Sequence, residues 1–416
     1  MLIEFSIENF LSFKERNTFS MIASSDNVLE DNLIKLKNQN LLKTTAIYGA
    51  NASGKTNLFK ALAYIVNMIT LSNSLDPNAL LPIIPFKLDK ETMKKPSFFE
   101  IRFLVDNVKY VYKFKANDKN VYEESLYFYP GTQPKKIFKR ENINKYSFDR
   151  DDEKKLKPLE TRNTSNKFFL ATATNWNYEK TKPAYDFITR NLAVIFDMEP
   201  LKNYTYNMYS NDSKKELENF AIEVLEKVDL NIKGYKLVEE KLTEEKLNSF
   251  LLPDSIKAML PIGSIGYKVI TKHIVDNEEF YFDMNEESMG TQIIFSLIPF
   301  IRDVLINNKV LIIDELDKSL HPIIVNYIIE IFNDPVLNKK GAQLIFNTHD
   351  TNLLDLDLMR RDQIWFTEKN DKDGSSDIYP LDDFSVRKNE NIEKGYLLGR
   401  YGAIPFLGTN TIVLDN

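Results

Sequence analysis

The sequence predicts an α/β protein: a mostly parallel sheet with its helices, an antiparallel β subdomain and a compact helical insertion. Three observations predict it. Apolar strand-like runs end at Tyr48, Ile313 and Asn347, and helical spacing follows or precedes them over 55–70, Gly290–Ile306 and Ile323–Phe332. That alternation is the pattern of a parallel sheet with crossover helices. Residues 97–148 differ: aromatic and β-branched runs at Ser97–Leu104, Lys109–Phe114 and Glu124–Tyr129 are separated by turn-prone DN, ANDKN and PGTQP, an antiparallel meander of three or more strands. From 177 to 260 the chain becomes highly charged and mostly helical in pattern.

In chain order, residues 1–13 read as a strand, a turn at Glu8-Asn9 and a second short strand. Thr44–Tyr48 is a buried strand, and Leu58, Leu62, Ile65, Val66 and Ile69 define the apolar face of the helix after it. Beyond the meander, Lys167–Thr172 reads as a further strand. Lys214–Val228 and Glu239–Phe250 read as helices, without the sustained heptads of a long coiled-coil arm. Strands return at Tyr267–Val275 and Glu279–Met284, then at Val310–Ile313, Gln343–Asn347 and Gln363–Glu368. The expected organisation is one head split in sequence, 1–176 and 261–416, with 177–260 inserted.

Composition narrows the class. Of 416 residues, 43% are hydrophobic and 27% charged, ordinary for a globular protein. The chain has no cysteine and three histidines, which excludes disulfides, thiolate metal sites, a cysteine nucleophile and a multi-histidine metal centre. A net charge of −6 means that any nucleic-acid contact needs a local basic patch. MLIEFSIENF carries Glu4 and Glu8 and lacks the charge pattern of a signal peptide. The apolar run Ile293–Ile301 is about half the length of a membrane span. The expectation is a soluble, cytoplasmic protein.

The strongest chemical signal is Gly49-Ala50-Asn51-Ala52-Ser53-Gly54-Lys55-Thr56, which fits G-x-x-x-x-G-K-[ST]. Glycines let successive backbone N–H groups curl around one anion, and the helix N-terminus adds a favourable partial charge. Lys55 then reaches the β- and γ-phosphates and Thr56 offers its hydroxyl to Mg²⁺. The second signal is Val310–Ile313 followed by Asp314 and Glu315: an apolar strand with two carboxylates at the sheet edge where α/β folds bind ligands. Asp314 is read as the Mg²⁺ residue and Glu315 as the group that orients or deprotonates the attacking water. The third is His349, after the next strand, placed to hydrogen-bond a γ-phosphate. The fourth is Ser288-Met289-Gly290 at a helix start, which alone reads equally as a plain N-cap.

P-loop, Ser-x-Gly, acidic strand and histidine, in that order, resemble an ABC-type ATPase head of the SMC, RecF and OLD-like group. Ile7-Glu8-Asn9-Phe10-Leu11-Ser12-Phe13 is similar to the opening of that group, and Leu316–Pro322, with Asp317 and Ser319, to its D-loop. Within the group the chain resembles the abortive-infection phage-resistance ATPases of the AbiL and RloA type and the AriA subunit of the PARIS system. Arg360–Phe366 and Lys394–Pro405 carry that likeness. The resemblance implies a P-loop ABC-type ATPase head that binds ATP and Mg²⁺ and forms at least a dimer. Ser288 and Gly290 of one protomer would act in trans on the phosphates held by the other, lacking a partner in their own chain. The pattern departs from the group in one respect. Between Thr56 and Ser288 the one glutamine is Gln133, in the turn PGTQP; Thr174 or Asn175 is expected in place of the usual Q-loop glutamine.

Three functions compete. A sensor ATPase of an anti-phage system would control a separate effector, a TOPRIM-like or RloB-like nuclease, with a phage protein or DNA as trigger. An SMC- or RecF-like ATPase would act directly on DNA and favour long arms or a basic face. A self-contained OLD-type nuclease would need a C-terminal domain beyond His349, where the remaining residues are expected to finish the head. Lys135-Lys136 with Lys139-Arg140, and Lys154-Lys155 with Lys157, are the clusters suited to phosphate, although such runs are usually solvated faces. The first function fits charge and size best.

Overall fold

A computed structural model describes residues 1–198, 201–228, 232–241, 243, 265–387 and 390–405. The chain divides into two units: Met1–Val194 with Asn307–Leu316 and Ile329–Asn416, and Ile195–Ile306 with Asp317–Ile328. This division differs from boundaries at 177 and 260. The helix over Lys182–Arg190 lies in the first unit, while two strands and the Ser288 helix lie in the second.

The first unit begins with β1 (Leu2–Glu8), β2 (Asn17–Ser20), the short β3 (Leu33–Ile34) and β4 (Leu41–Leu42), then β5 (Thr44–Tyr48) and α1 (Lys55–Leu71). The meander follows as β6 (Ser97–Val105), β7 (Val108–Ala116), β8 (Val121–Tyr129), β9 (Lys135–Glu141) and β10 (Lys145–Phe148). Next come α2 (Glu153–Leu156), α3 (Phe169–Asn175), α4 (Lys182–Arg190) and β11 (Leu192–Ile195). A seven-stranded antiparallel sheet has the order β10-β9-β8-β7-β6-β1-β2. The expected meander is therefore five strands long, and the N-terminal strand extends it. At β6–β7 the turn residues Asp106 and Asn107 both have positive φ, which matches the twist of a tight hairpin.

Two sequence readings fail in this unit. Phe10–Phe13 is a tight loop closed by a bridge between those two residues, and β2 is the partner of β1. Asn9 and Leu11 have φ of 53° and 51°, which an extended strand cannot hold. The Asn9 amide fixes the loop, donating to the Thr92 and Lys95 carbonyls at 2.8 and 2.9 Å. The strand expected at Lys167–Thr172 is instead the start of α3. Its first amides, Phe169 and Leu170, donate to the buried Glu124 carboxylate of β8 at 2.6 and 2.9 Å. Arg140, 0% exposed, lies 3.9 Å from Glu124 and donates to the carbonyls of Thr164, Ser165 and Lys167. A pair 45 residues apart in sequence thus caps the helix, which local pattern does not reveal.

The second unit holds α5 (Lys202–Ser210), α6 (Glu216–Lys227), β12 (Ile232–Lys241), β13 (Ile265–Val275), β14 (Glu278–Asp283) and α7 (Met289–Asn307). The insertion is therefore not wholly helical. The helix expected over Glu239–Phe250 begins inside β12, which pairs antiparallel with β13; its residues 244–250 lie outside the described ones. α7 is long and apolar enough to cross a membrane by length and composition, but most of its apolar side chains, among them Phe295, Ile298 and Ile301, are buried. Pro299 interrupts α7 and lacks the N–H that would serve the Phe295 carbonyl one turn back. The Tyr209 hydroxyl supplies the missing donor at 2.8 Å, with its ring stacked on Phe295 at 4.5 Å. Burial pushes the Tyr209 phenol well above its usual range, so it stays a donor.

After α7 the chain forms β15 (Val310–Ile313), α8 (Pro322–Asn333), β16 (Gln343–Asn347), β17 (Ile364–Lys369), β18 (Ser376–Pro380) and α9 (Ile392–Leu397). The second sheet of the first unit has the order β11-β15-β16-β5-β17-β18. β15, β16, β5 and β17 run parallel, and β18 is antiparallel to β17. α1 is apolar on most of its surface. Its Leu58, Leu62, Ile65 and Ile69 join one core with Phe99, Ile101 and Phe103 of the antiparallel sheet and Ile47, Ile312 and Ile345 of the parallel one. A helix buried on both faces is held by tertiary packing rather than by propensity.

Two stability outcomes follow from these contacts. Tyr209→Phe removes one hydroxyl and strands the Phe295 carbonyl, so it should cost about 1–3 kcal/mol in denaturant unfolding. Glu124→Ala leaves two buried amides and the Arg140 charge unserved and should cost about 3–5 kcal/mol. A loss below measurement error in either variant would remove the assigned role.

Candidate functional site

The candidate site forms at the C-terminal ends of parallel strands β15, β16 and β5, the edge where open α/β sheets bind ligands. The loop between β5 and α1 starts at Gly49, whose φ of 155° and surroundings leave no room for a side chain: a Cβ there would lie 2.4 Å from the Thr367 carbonyl oxygen. Gly54 has φ 125°, and a Cβ on it would lie 2.5 Å from the Ser376 hydroxyl. Between them Asn51 and Ala52 are exposed, and Ala52 has φ 63°. The Ser53 hydroxyl is taken up by Thr367 at 2.6 Å, which pins the loop to β17. Lys55 is buried and donates to the carbonyls of Gly49 and Ala50 at 2.7 and 3.2 Å. No side chain caps α1, so its first amides are available to an anion, as phosphate binding at a helix start requires.

Thr56 stands at the next position and its hydroxyl donates to both Asp314 oxygens at 3.1 Å. Two hard oxygen ligands thus meet beside the phosphate loop. Among the described residues no group of three or more acidic or histidine side chains could hold a metal ion. That donor set fits Mg²⁺, which keeps several waters and takes its other oxygens from phosphates.

Asn347, at the end of β16 and 0% exposed, braces the acidic pair. Its Nδ2 donates to Asp314, and its Oδ1 accepts from the Glu315 backbone N–H at 2.6 Å. Its carbonyl also accepts from Leu316 at 3.2 Å. Glu315 has φ 53°, an uncommon conformation for a residue with a Cβ. Asn347 was legible only as a strand end, yet a buried amide closing an apolar parallel strand is the signal that marks it. His349, two residues on, is exposed, and the buried Thr348 before it is held by the Ile47 carbonyl at 3.2 Å.

The opening motif also reaches the phosphate loop. Ser12 accepts from Asn57 of α1 at 2.8 Å, and its carbonyl accepts from Ser376 at 2.7 Å. The first unit therefore gathers the P-loop, Asp314, Glu315, Asn347, His349 and Ser12. Gln133 is exposed in the β8–β9 turn. The Thr174 hydroxyl donates to the Leu170 carbonyl and meets Thr181, both at 2.8 Å, while Asn175 is exposed.

The second unit gathers the remaining motif residues. Ser288 is exposed, and its hydroxyl meets Thr291 at 2.8 Å and accepts from the Thr291 N–H at 3.1 Å. The serine thus caps its own helix, contrary to the expectation that it would have no partner in its own chain. A Cβ on Gly290 would lie 2.9 Å from the Ser319 carbonyl oxygen, so this glycine lets the helix start pack on the segment of Asp317 and Ser319. Ser319 itself has φ 64°. Glu287, next to Ser288, is held by Thr271 and His273 of β13 at 2.6 and 2.8 Å.

Comparison with solved structures aligns 91% of the chain with SMC heads at low identity. One is an SMC head bound to the C-terminal winged-helix domain of ScpA, at 12% identity, 97% of that chain and a TM-score of 0.47. Another is the SMC head domain from Thermotoga maritima, at 12% identity, 98% of that chain and a TM-score of 0.43. A third is an SMC head domain with an extended coiled coil bound to the C-terminal domain of ScpA, from Pyrococcus furiosus, at 13% identity, 96% of that chain and a TM-score of 0.42. No curated protein matches. A family model described as "AAA domain, putative AbiEii toxin, Type IV TA system" matches residues 44–355, from the P-loop strand through His349. With well over half of its length matched, and a P-loop facing a Thr56–Asp314 pair, the chain belongs to that AAA-domain family.

Proposed function

We propose that this protein hydrolyses Mg²⁺-bound ATP between two copies of its head, and that it serves in the cytoplasm as the sensor subunit of an anti-phage, abortive-infection system. It controls a separate effector, a nuclease of the TOPRIM-like or RloB-like kind, in response to a phage protein or DNA. The observation that carries the ATPase reading is the junction of Thr56, Asp314, Asn347 and the Glu315 amide beside an uncapped helix start. The defence reading is supported by the likeness of the chain to abortive-infection ATPases of the AbiL, RloA and AriA kinds.

The α1 amides and Lys55 would bind the phosphates, and Thr56 with Asp314 would hold Mg²⁺. The bound ion supplies charge neutralisation on the phosphate oxygens. Glu315 orients and deprotonates the attacking water, and His349 hydrogen-bonds the γ-phosphate. Asn347 is a positioning residue: it fixes the Asp314 carboxylate and the backbone of the base together. Ser288 and Gly290, with Asp317 and Ser319, would complete the site of a second protomer, so turnover depends on assembly. The exposure of Ser288 supports that reading.

Lys55→Ala should abolish nucleotide binding in calorimetry. Glu315→Gln should bind ATP as the parent does and lose about 10²–10⁴-fold in turnover, accumulating an ATP-bound assembly. Equal hydrolysis by the two would remove Glu315 as base. Asn347→Ala should lower kcat about 10–100-fold with little change in KM; an unchanged kcat would deny it the positioning role. Ser288→Arg and Lys55→Ala protomers, each inactive alone, should regain turnover when mixed, and no recovery after proven exchange would refute the shared site. The defence role is tested by plaque assay: cells carrying the protein and its neighbouring genes should resist phage, and Lys55→Ala should remove the resistance.

A further inference from the structure

The outward face of the seven-stranded sheet carries a feature that neither the P-loop nor the packing of the unit uses. In β7 every second residue from Tyr110 to Ala116 is buried, which turns Lys113 and Lys115 to the opposite face. Strand register sets Lys113 opposite Ser125 of β8, and Ser125 opposite Lys139 of β9. Directly opposed residues share a face, so one hydroxyl lies between two lysines across three strands. With strands about 4.8 Å apart, the two lysine backbones are about 10 Å apart. Lys113, Ser125 and Lys139 line one cavity of about 350 Å³; its other charged lining residues are Arg16, Lys115 and Arg140 against Glu8, Glu123, Glu124 and Glu141, a balance of five cations to four carboxylates.

Two donors there have no partner among the described residues. Ser125 is 3% exposed and its hydroxyl has no hydrogen-bond partner. Lys115 and Lys139 are paired with Glu123 and Glu141 at 3.3 and 2.7 Å, and Arg16 with Glu100 at 3.4 Å. No carboxylate pairs with Lys113 among the described residues. A buried hydroxyl normally finds a partner, and a lysine carries three donors, so Lys139 has capacity beyond Glu141. An oxyanion of tetrahedral size, with several acceptor oxygens and negative charge, suits a hydroxyl and an ammonium set side by side.

We propose that this cavity is a phosphate-binding site separate from the P-loop, taking a phosphate carried on a nucleic-acid backbone or on a small phosphorylated ligand. The site is independent of the ATPase reading, because none of its residues belongs to the nucleotide site. The test uses the full chain in the Lys55→Ala background, which silences the P-loop. A fluorescent single-stranded and a duplex oligonucleotide are titrated by anisotropy, and inorganic phosphate by calorimetry. At least one probe should bind, and Lys113→Glu should weaken it by about tenfold or more. Ser125→Ala should weaken it by about threefold or more while leaving Tm unchanged or raised, because the stranded hydroxyl is gone. Oligonucleotide binding whose salt slope falls by about one in Lys113→Ala assigns the polymer backbone. Binding of inorganic phosphate alone, lost in Lys113→Glu, assigns a small ligand. If no probe binds, or if Lys113→Glu and Ser125→Ala bind as the parent does, the proposal is wrong.

Discussion

The arrangement of the nucleotide site depends on where β16 runs. It lies between β5, which ends in the P-loop, and β15, which ends in the acidic pair. Its last residue, Asn347, is therefore delivered to the point where phosphate loop and carboxylates meet. A primary amide suits that point because it offers a donor and an acceptor at once. The donor goes to the Asp314 carboxylate and the acceptor to the Glu315 N–H. A carboxylate in its place would repel Asp314, and an apolar side chain would leave a strained backbone without support. One buried amide thereby ties the Asp314 carboxylate to the Glu315 backbone, and both to the strand beside the P-loop.

The rest of the first unit keeps those strand ends in register. β5, β15 and β16 have every residue buried, and such apolar parallel strands tolerate little slippage. α1 fills the core they share with the antiparallel sheet, so the anion-binding end of the helix is set by packing at its other residues. Two polar side chains buried in this unit, Glu124 and Gln363, are fully paired. Glu124 serves the amides of α3, and Gln363 donates to the Thr44 carbonyl and hydroxyl while accepting from Arg360 and Asn32. Buried polar groups of this kind specify one arrangement because each alternative leaves a donor or acceptor unserved.

This division explains what was legible in the sequence. β15 and β16 stand at Val310–Ile313 and Gln343–Asn347, as the sequence pattern placed them, because short runs with an apolar centre are encoded locally. The P-loop motif and the Asp314–Glu315 pair stand out for the same reason: each is a pattern within a few residues. What failed was set at a distance. α3 looked like a strand because Phe168, Phe169 and Thr172 favour extended structure, but its cap comes from Glu124. β12 looked helical because its lysines and glutamates carry no core signal, and its conformation is fixed by pairing with β13. Asn347 escaped notice as a functional residue because its two partners lie 32 and 33 residues away.

The motif residues divide between the two units. The first unit holds the phosphate loop, the Thr56–Asp314 pair and Glu315; the second holds Ser288, Gly290, Asp317 and Ser319. The chain leaves the first unit at Leu316, one residue after Glu315. Glu315 meanwhile sits at φ 53°, a conformation that costs energy and persists only while its surroundings impose it. On one side it is imposed by Asn347, through the N–H of Glu315 and, by its carbonyl, the N–H of Leu316. On the other side the backbone continues directly into the Asp317–Ser319 segment, against which the Gly290 helix start is packed with no room for a methyl group. The Ser288–Gly290 helix start therefore contacts a segment that follows Glu315 within four residues of chain. The Glu315 backbone is thus bounded on one side by the Asn347 hydrogen bonds and leads on the other, through residues 316–319, into a segment with a tight glycine contact.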